Sequence, residues 1–460
     1  MLSLKTIQKH RGSMLEGPLL PGVIRYTIPI ILTSVLQLMF NAADLIIVGK
    51  FCGSVSVGAV GATSSLTGLM VNLFVGLSVG AGVAVAHGIG SRDRLQISQT
   101  VHTAVPLALL GGAILTVVGV TFSGPMLIIM ATPENTLPLS TIYMKIYFCG
   151  ITFTVVYNFC AAMLRAAGDT KSPLVFLTLA GVVNVILNVI FVTLLHMNVA
   201  GVALATTISQ AIAAVLVMLA LMRRTDDCRL DLRKIRFHKA QLGKILRIGL
   251  PAGIQSSLFS ISNVIIQSSV NSFGDVFVSG NSAVVSLEGF LYAVLNAFQQ
   301  TTVNFVGQNV GARQYRRANM TVWICQACVL VLGLILGTLF WEFGESLLGI
   351  YISDSEQAIE YGMIRVLYVV LPYFVLGLLD VSTGALRGYG QSLAPMIIAV
   401  LGICGLRLLW IFTVFQIPEF HSPKWLFMSY PISWLVTLMV QTAFFLKIRG
   451  KFLRLSGEES

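Results

Sequence analysis

The sequence predicts an all-α polytopic membrane protein, with about twelve transmembrane helices in two parallel-repeat lobes of six. Three observations lead there. Of 460 residues, 56% are hydrophobic and 11% charged, where a soluble domain carries about 25% charged residues; mean hydropathy is +0.85. Apolar runs that can cross a bilayer, about 20 residues as helix, recur from end to end. A transmembrane barrel, whose strands alternate in polarity over about 10 residues, is excluded. The third observation is duplication. MLRAAGDTKSP (163–173) lies over ALRGYGQSLAP (385–395), with Leu, Arg, Gly and Pro coinciding at a spacing of 222 residues. The same spacing relates Pro29 to Pro251, Asn41 to Asn263 and Phe51 to Phe273; at 221, AHGIGSR (86–92) meets GQNVGAR (307–313). Halves with an even number of spans run parallel, a transporter architecture with the site between or within the halves.

In chain order the predicted spans are 23–48, 56–86, 101–122, 140–164, 173–195, 199–222, 247–271, 279–307, 320–341, 361–385, 395–417 and 425–446. Residues 1–22 are polar and basic, without the apolar core and cleavage site of a signal peptide. The first lobe is 23–222, the basic stretch 223–246 is a linker, the second lobe is 247–446, and 447–460 is a tail. Cations mark alternate loops: Lys5, Lys9 and Arg11; Arg92 and Arg94; Arg165 and Lys171; the linker; Arg313, Arg316 and Arg317; Arg387; and Lys447, Arg449, Lys451 and Arg454. An intervening loop is acidic, with Glu342, Glu345, Asp354, Glu356 and Glu360. The positive-inside rule then puts both termini in the cytoplasm of a cell-membrane protein. The net charge of +11 resides in these short loops. With no basic soluble domain, a nucleic-acid partner is excluded. Cys325 and Cys328 form a CxxC inside an apolar helix without a second ligand pair, so they read as packing residues.

Polar groups inside the spans carry the functional reading. The first span holds Gln37, Asn41 and Asp44. A carboxylate at bilayer depth costs several kcal/mol, so it normally faces a bundle interior or a wet cavity. Asp44 is therefore either a cation or proton site or a helix-end carboxylate reaching for water or an amide. Asn184 and Asn188 are one turn apart on one face, as ligands or as interhelical glue. Asp380 has Asn158 as its counterpart at the repeat spacing; it is a second functional carboxylate or a partner of Arg387. Glu288 is a third, able to meet a cationic substrate. Gln37, Asn263 and Gln299 could line a polar cavity, and Tyr157 could stack on an aromatic cation or simply pack. Gly76 and Gly80 form a GxxxG helix-packing signature. Asp44 and Asp380 lie in opposite halves, outside a GxGD context, and no Ser–His–Asp or HExxH arrangement appears. An intramembrane enzyme is thus a remote alternative.

QLMFNAADLIIVGKFCG (37–53) and MLRAAGDTKSP, with SVNSFG, FVGQNVGAR and ALRGYG in the second half, resemble the multidrug and toxic compound extrusion (MATE) family over essentially the whole chain. The resemblance implies two six-helix lobes, alternating access, and export of amphipathic, cationic organic compounds in exchange for H⁺ or Na⁺. It implies no cofactor, and a monomer in the lipid bilayer with small organic molecules as its partners. It also implies a coupling cluster of Asp44, Asn158, Asn184 and Thr206. This chain departs from the family at Asn188, where the pattern carries an Asp. An amide supplies a carbonyl oxygen but no charge, leaving Asp44 the one carboxylate placed in the lobe. Proton exchange at a single carboxylate needs no further ligands, whereas Na⁺ needs several well-placed oxygens, so the expectation leans to H⁺ with Na⁺ the alternative. A lipid or lipid-linked oligosaccharide flippase of the same plan is the alternative function, kept open by Arg407, a cation deep in the eleventh span.

Overall fold

The computed structural model describes residues 14–130, 132–352 and 355–456. Lys5, Lys9, Arg11 and Asp354 lie outside them. Among the described residues, twelve helices are long and apolar enough to cross a membrane: α1 Leu19–Cys52, α2 Ser54–Ser91, α3 Arg94–Ile129, α4 Leu137–Ala166, α5 Lys171–Leu194, α6 Asn198–Met222, α7 Lys239–Asn271, α8 Asp275–Gly311, α9 Tyr315–Glu342, α10 Glu356–Gly388, α11 Leu393–Gln416 and α12 Pro423–Arg454. Each predicted span has its helix. Most helices outrun their apolar stretch, because backbone hydrogen bonding continues into polar end turns that pack on neighbours. α3 gains most, running from Arg94 rather than 101 to Ile129 rather than 122.

The repeat reappears in the backbone. Among the described residues, six of the nine with left-handed φ fall in repeat-related pairs: Gly53 at 83° and Gly274 at 91°, Arg92 at 56° and Arg313 at 59°, Gly168 at 88° and Gly390 at 80°. Helix ends close alike. The Asp93 and Gln314 amides donate to the Gly88 and Asn309 carbonyls at 3.0 and 2.8 Å, and those of Asp169 and Gln391 donate to Leu164 and Leu386 at 2.9 Å each. A left-handed residue past the last turn lets the following amide cap the helix carbonyls, and glycine does so without a Cβ penalty. The matched motifs are therefore matched helix stops.

Among the described residues, three helices widen to a π turn: α5 at Ile190–Leu194, α10 at Val366–Val370 and α11 at Val400–Gly405.

The chain forms two compact units, residues 28–257 and residues 1–27 with 258–460. In the first, Gly76 and Gly80 of α2 meet Gly249 and Gly253 of α7. A Cβ on Gly76 would lie 2.1 Å from the Gly253 nitrogen, and one on Gly80 2.3 Å from the Ile245 carbonyl oxygen. The GxxxG thus lets two backbones touch, the main source of helix association where lipid removes the hydrophobic drive. Gly80→Ala is expected to lower the melting temperature of the detergent-purified protein, since over-packing costs about 1–3 kcal/mol. Gly68→Ala, where a Cβ meets nothing within 4 Å, should hold or raise it through helix propensity. Equal shifts would remove the close-contact account.

The loop after α6 folds onto this unit. Arg224 pairs with Asp226, and buried His102 accepts from the Asp231 amide at 3.0 Å while its other nitrogen bonds the Ser98 carbonyl at 2.6 Å. In the second unit, the segment before α1 is tied down by Arg317, which donates to the carbonyls of Met14, Glu16 and Gly17. Thr27 meets Thr301 at 2.8 Å.

Candidate functional site

In the first unit, α1, α5 and α6 assemble one hydrogen-bonded chain. The Asn188 amide donates both to Asp44 Oδ1 and to Asn184 Oδ1, the latter at 3.2 Å. Asn184 Nδ2 donates to Thr206 Oγ1 at 3.4 Å. The four-residue spacing of the two asparagines stacks them on one face of α5, so a single helix bridges Asp44 to Thr206. Asn184 and Asn188 are buried. Ile47, Val48, Val192 and Val202 form an apolar cluster on the same helices, with Tyr143 of α4 against it. The chain is rich in acceptors. Asn188 Oδ1 is buried without a hydrogen-bond partner among the described residues, so what it lacks is a donor or a cation.

Four of the five residues expected at the coupling site are therefore in this chain. Asn158 is not; its amide donates to the Thr154 carbonyl of its own helix at 2.8 Å. Tyr157 is buried with its hydroxyl donating to the Pro173 carbonyl at 3.3 Å, which ties α4 to the start of α5. Gln37 and Asn41 are uncovered by protein. Phe40, between them, fills the notch left by Gly181.

The second unit holds two further polar groups. Asp380 of α10 is buried; its Oδ1 accepts from Gln299 Nε2 at 3.5 Å, and its Oδ2 has no hydrogen-bond partner among the described residues. Gln299 in turn accepts from Asn296 at 2.8 Å, and Asn296 accepts from Gln300 at 3.1 Å. The Arg387 charge also bears on Asp380. Asn263 is uncovered. Elsewhere Glu288 of α8 faces Arg365 of α10 in a two-pronged ion pair, at 2.6 and 2.9 Å, with both residues buried. Arg365 also donates to Asn281 Oδ1 at 2.8 Å. Arg365 had not been singled out in the sequence. A carboxylate inside a span was the signal that could have found it, because such a group requires a partner. A cavity of about 360 Å³ lined by Trp323, Gln326, Leu378, Ser382 and Phe445 touches none of the expected site residues.

The MatE family model matches residues 29–190 and 251–413, once in each half. A probable multidrug resistance protein of Bacillus subtilis, YpnP, is 28% identical over 393 residues, covering 85% of this chain and 87% of its own. The FAD transporter of Shewanella oneidensis is 25% identical over 408 residues, covering 87% and 88%. A solved MATE in complex with MaL6 shares the fold with a TM-score of 0.90, at 19% identity and covering 97% of this chain and 99% of its own.

Proposed function

This chain belongs to the MATE family of multidrug efflux transporters, and from that premise we propose that it is a secondary active antiporter exporting amphipathic, cationic organic compounds in exchange for H⁺ taken up at Asp44. The relatives' names span drugs and FAD, so the coupling reading rests on this chain's own residues. The observation that carries it is the pairing of Asp44 with Asn188. A protonated carboxyl offers one O–H donor, and Asn188 Oδ1 is the buried acceptor lacking one. Carboxylic acid and amide then complement each other, while the ionised form leaves that oxygen unmet. Na⁺ would also use the oxygen, but would call on Asp44, Asn184 and Thr206 together. Proton uptake shifts the balance between two arrangements of the lobe, and the shift releases or readmits the cargo. Ethidium uptake into everted vesicles, driven by an imposed pH gradient (lumen acidic) at zero Na⁺, is the test. Uptake that runs on a Na⁺ gradient at clamped pH and ignores the pH gradient would overturn the H⁺ assignment.

Both termini and the loop after α6 face the cytoplasm of the cell membrane in this reading, since the cations cluster there. In a cysteine-free background, a membrane-impermeant maleimide added to intact cells should label Glu356→Cys and miss Lys234→Cys. The reverse pattern would invert the topology.

A further inference from the structure

The second unit contains a buried cluster with more cations than its acids can balance. Arg365 is matched by Glu288 at 2.6 Å. Arg407 of α11 is 4% exposed, and no carboxylate among the described residues forms an ion pair with it. Its Nε donates to Ser433 Oγ at 3.0 Å. Its guanidinium lies 4.0 Å from the Tyr430 ring centre and 5.4 Å from that of Trp434. Cation–π attraction offsets only part of the cost of removing a charge from water. That single bond from Nε is its whole hydrogen bonding to the described residues, so its two terminal nitrogens, which carry four of the five donors, find no acceptor among them. Arg365 also lies over the Tyr430 ring, 5.4 Å from its centre. Beside it, Asn281 Nδ2 is buried with no acceptor among the described residues. Among the described residues, two independent groups in one cluster thus lack acceptors, and the pair of guanidinium groups carries one positive charge more than its acids balance.

We propose that Arg407 is the centre of an oxyanion subsite inside the second unit, taking the carboxylate or phosphate of an amphipathic organic anion. The planar fork of a guanidinium matches two oxygens of such a group. Tyr430 and Trp434 hold the fork in one orientation before the ligand arrives. One excess charge selects a monoanion. The subsite stands whichever cation is exchanged at Asp44, and its chemistry is opposite in sign to that of the Asp44 chain.

The test uses the full-length protein in phosphatidylcholine nanodiscs and a matched pair of probes, 1-naphthaleneacetate and the neutral 1-naphthaleneethanol. The anion is expected to bind saturably, at least about tenfold tighter than the alcohol. Arg407→Lys keeps the charge but loses the fork and should weaken the anion about tenfold; Arg407→Gln should reduce it to the level of the alcohol. Melting curves recorded beside each titration separate lost binding from lost folding, and the lysine variant keeps the test open if the glutamine variant does not fold. Competition by inorganic phosphate identifies a free anion as the ligand, and competition by phosphatidylglycerol in the disc identifies a lipid headgroup; either supports the subsite. Equal affinity for anion and alcohol, or unchanged anion affinity in a folded Arg407→Lys or Arg407→Gln protein, overturns it.

Discussion

Gradient-driven efflux is expected to fall to the leak rate in Asp44→Asn, while the protein still inserts and melts as the parent does. The substitution keeps the volume and retains a carbonyl oxygen for the Asn188 amide, so the chain through Asn184 to Thr206 keeps its donors and acceptors. What disappears is the proton. An amide neither takes up H⁺ in this range nor supplies a formal charge to a metal cation, so both versions of the coupling reading predict the same loss. Asn188→Asp separates them. It restores a second carboxylate beside Asp44, and repulsion between two ionised groups at one site is relieved by a bound cation. Efflux in that variant should become Na⁺-dependent with the range of transported compounds unchanged. Wild-type rates of gradient-driven efflux in Asp44→Asn would end the assignment.

Removing one partner of the Glu288–Arg365 pair is expected to be more damaging to stability than any other change considered for the second unit. Both groups are buried and joined by two short hydrogen bonds. Glu288→Gln leaves the Arg365 charge without its counter-ion, next to Arg407. Stranding one member of a buried pair costs about 3–5 kcal/mol, whereas replacing both by apolar residues of similar volume is often neutral. Glu288→Gln should therefore lower the melting temperature strongly, and the double variant Glu288→Leu with Arg365→Met should recover most of it. If Glu288 instead serves a cationic cargo, Glu288→Gln would change substrate affinity and leave melting alone. Thermal unfolding and drug titration on the same preparation tell the two apart.

The framework was legible in the chain because its signals are local or periodic. Membrane spans follow from run length, and the repeat follows from motifs such as those ending at Pro173 and Pro395, which prove to be helix stops with matched backbone conformation. Asp44, Asn184 and Asn188 were legible because polarity is costly inside lipid, and because two of them are one turn apart. What could not be read is the rotation of one helix against another. Glu288 and Arg365 are separated by 77 positions, and nothing in either neighbourhood says that their faces meet. Arg365 lies near the start of its predicted span, where a cation reads as a loop-facing end. Asn158 was carried over from the family pattern, yet its amide turns back on its own helix. The stacking role considered for Tyr157 was likewise undetermined by composition, since any buried hydroxyl seeks a carbonyl and this one found Pro173.

The three π turns have no residue signature either, and their positions matter. One begins two residues after Asn188, one begins directly after Arg365, and one ends two residues before Arg407. A π turn carries one residue more than the α turn it replaces. Winding that residue into the α ladder, or passing it along the helix, turns everything on one side of it like a screw advanced by one thread, about 100° of rotation with about 1.5 Å of travel. Hydrogen bonds are exchanged one at a time during such a change, so no helix need melt and no loop need lengthen. A bundle closed to water can thus re-aim a buried guanidinium or amide by altering helix pitch alone. Asn188, Arg365 and Arg407 sit where that adjustment is cheapest.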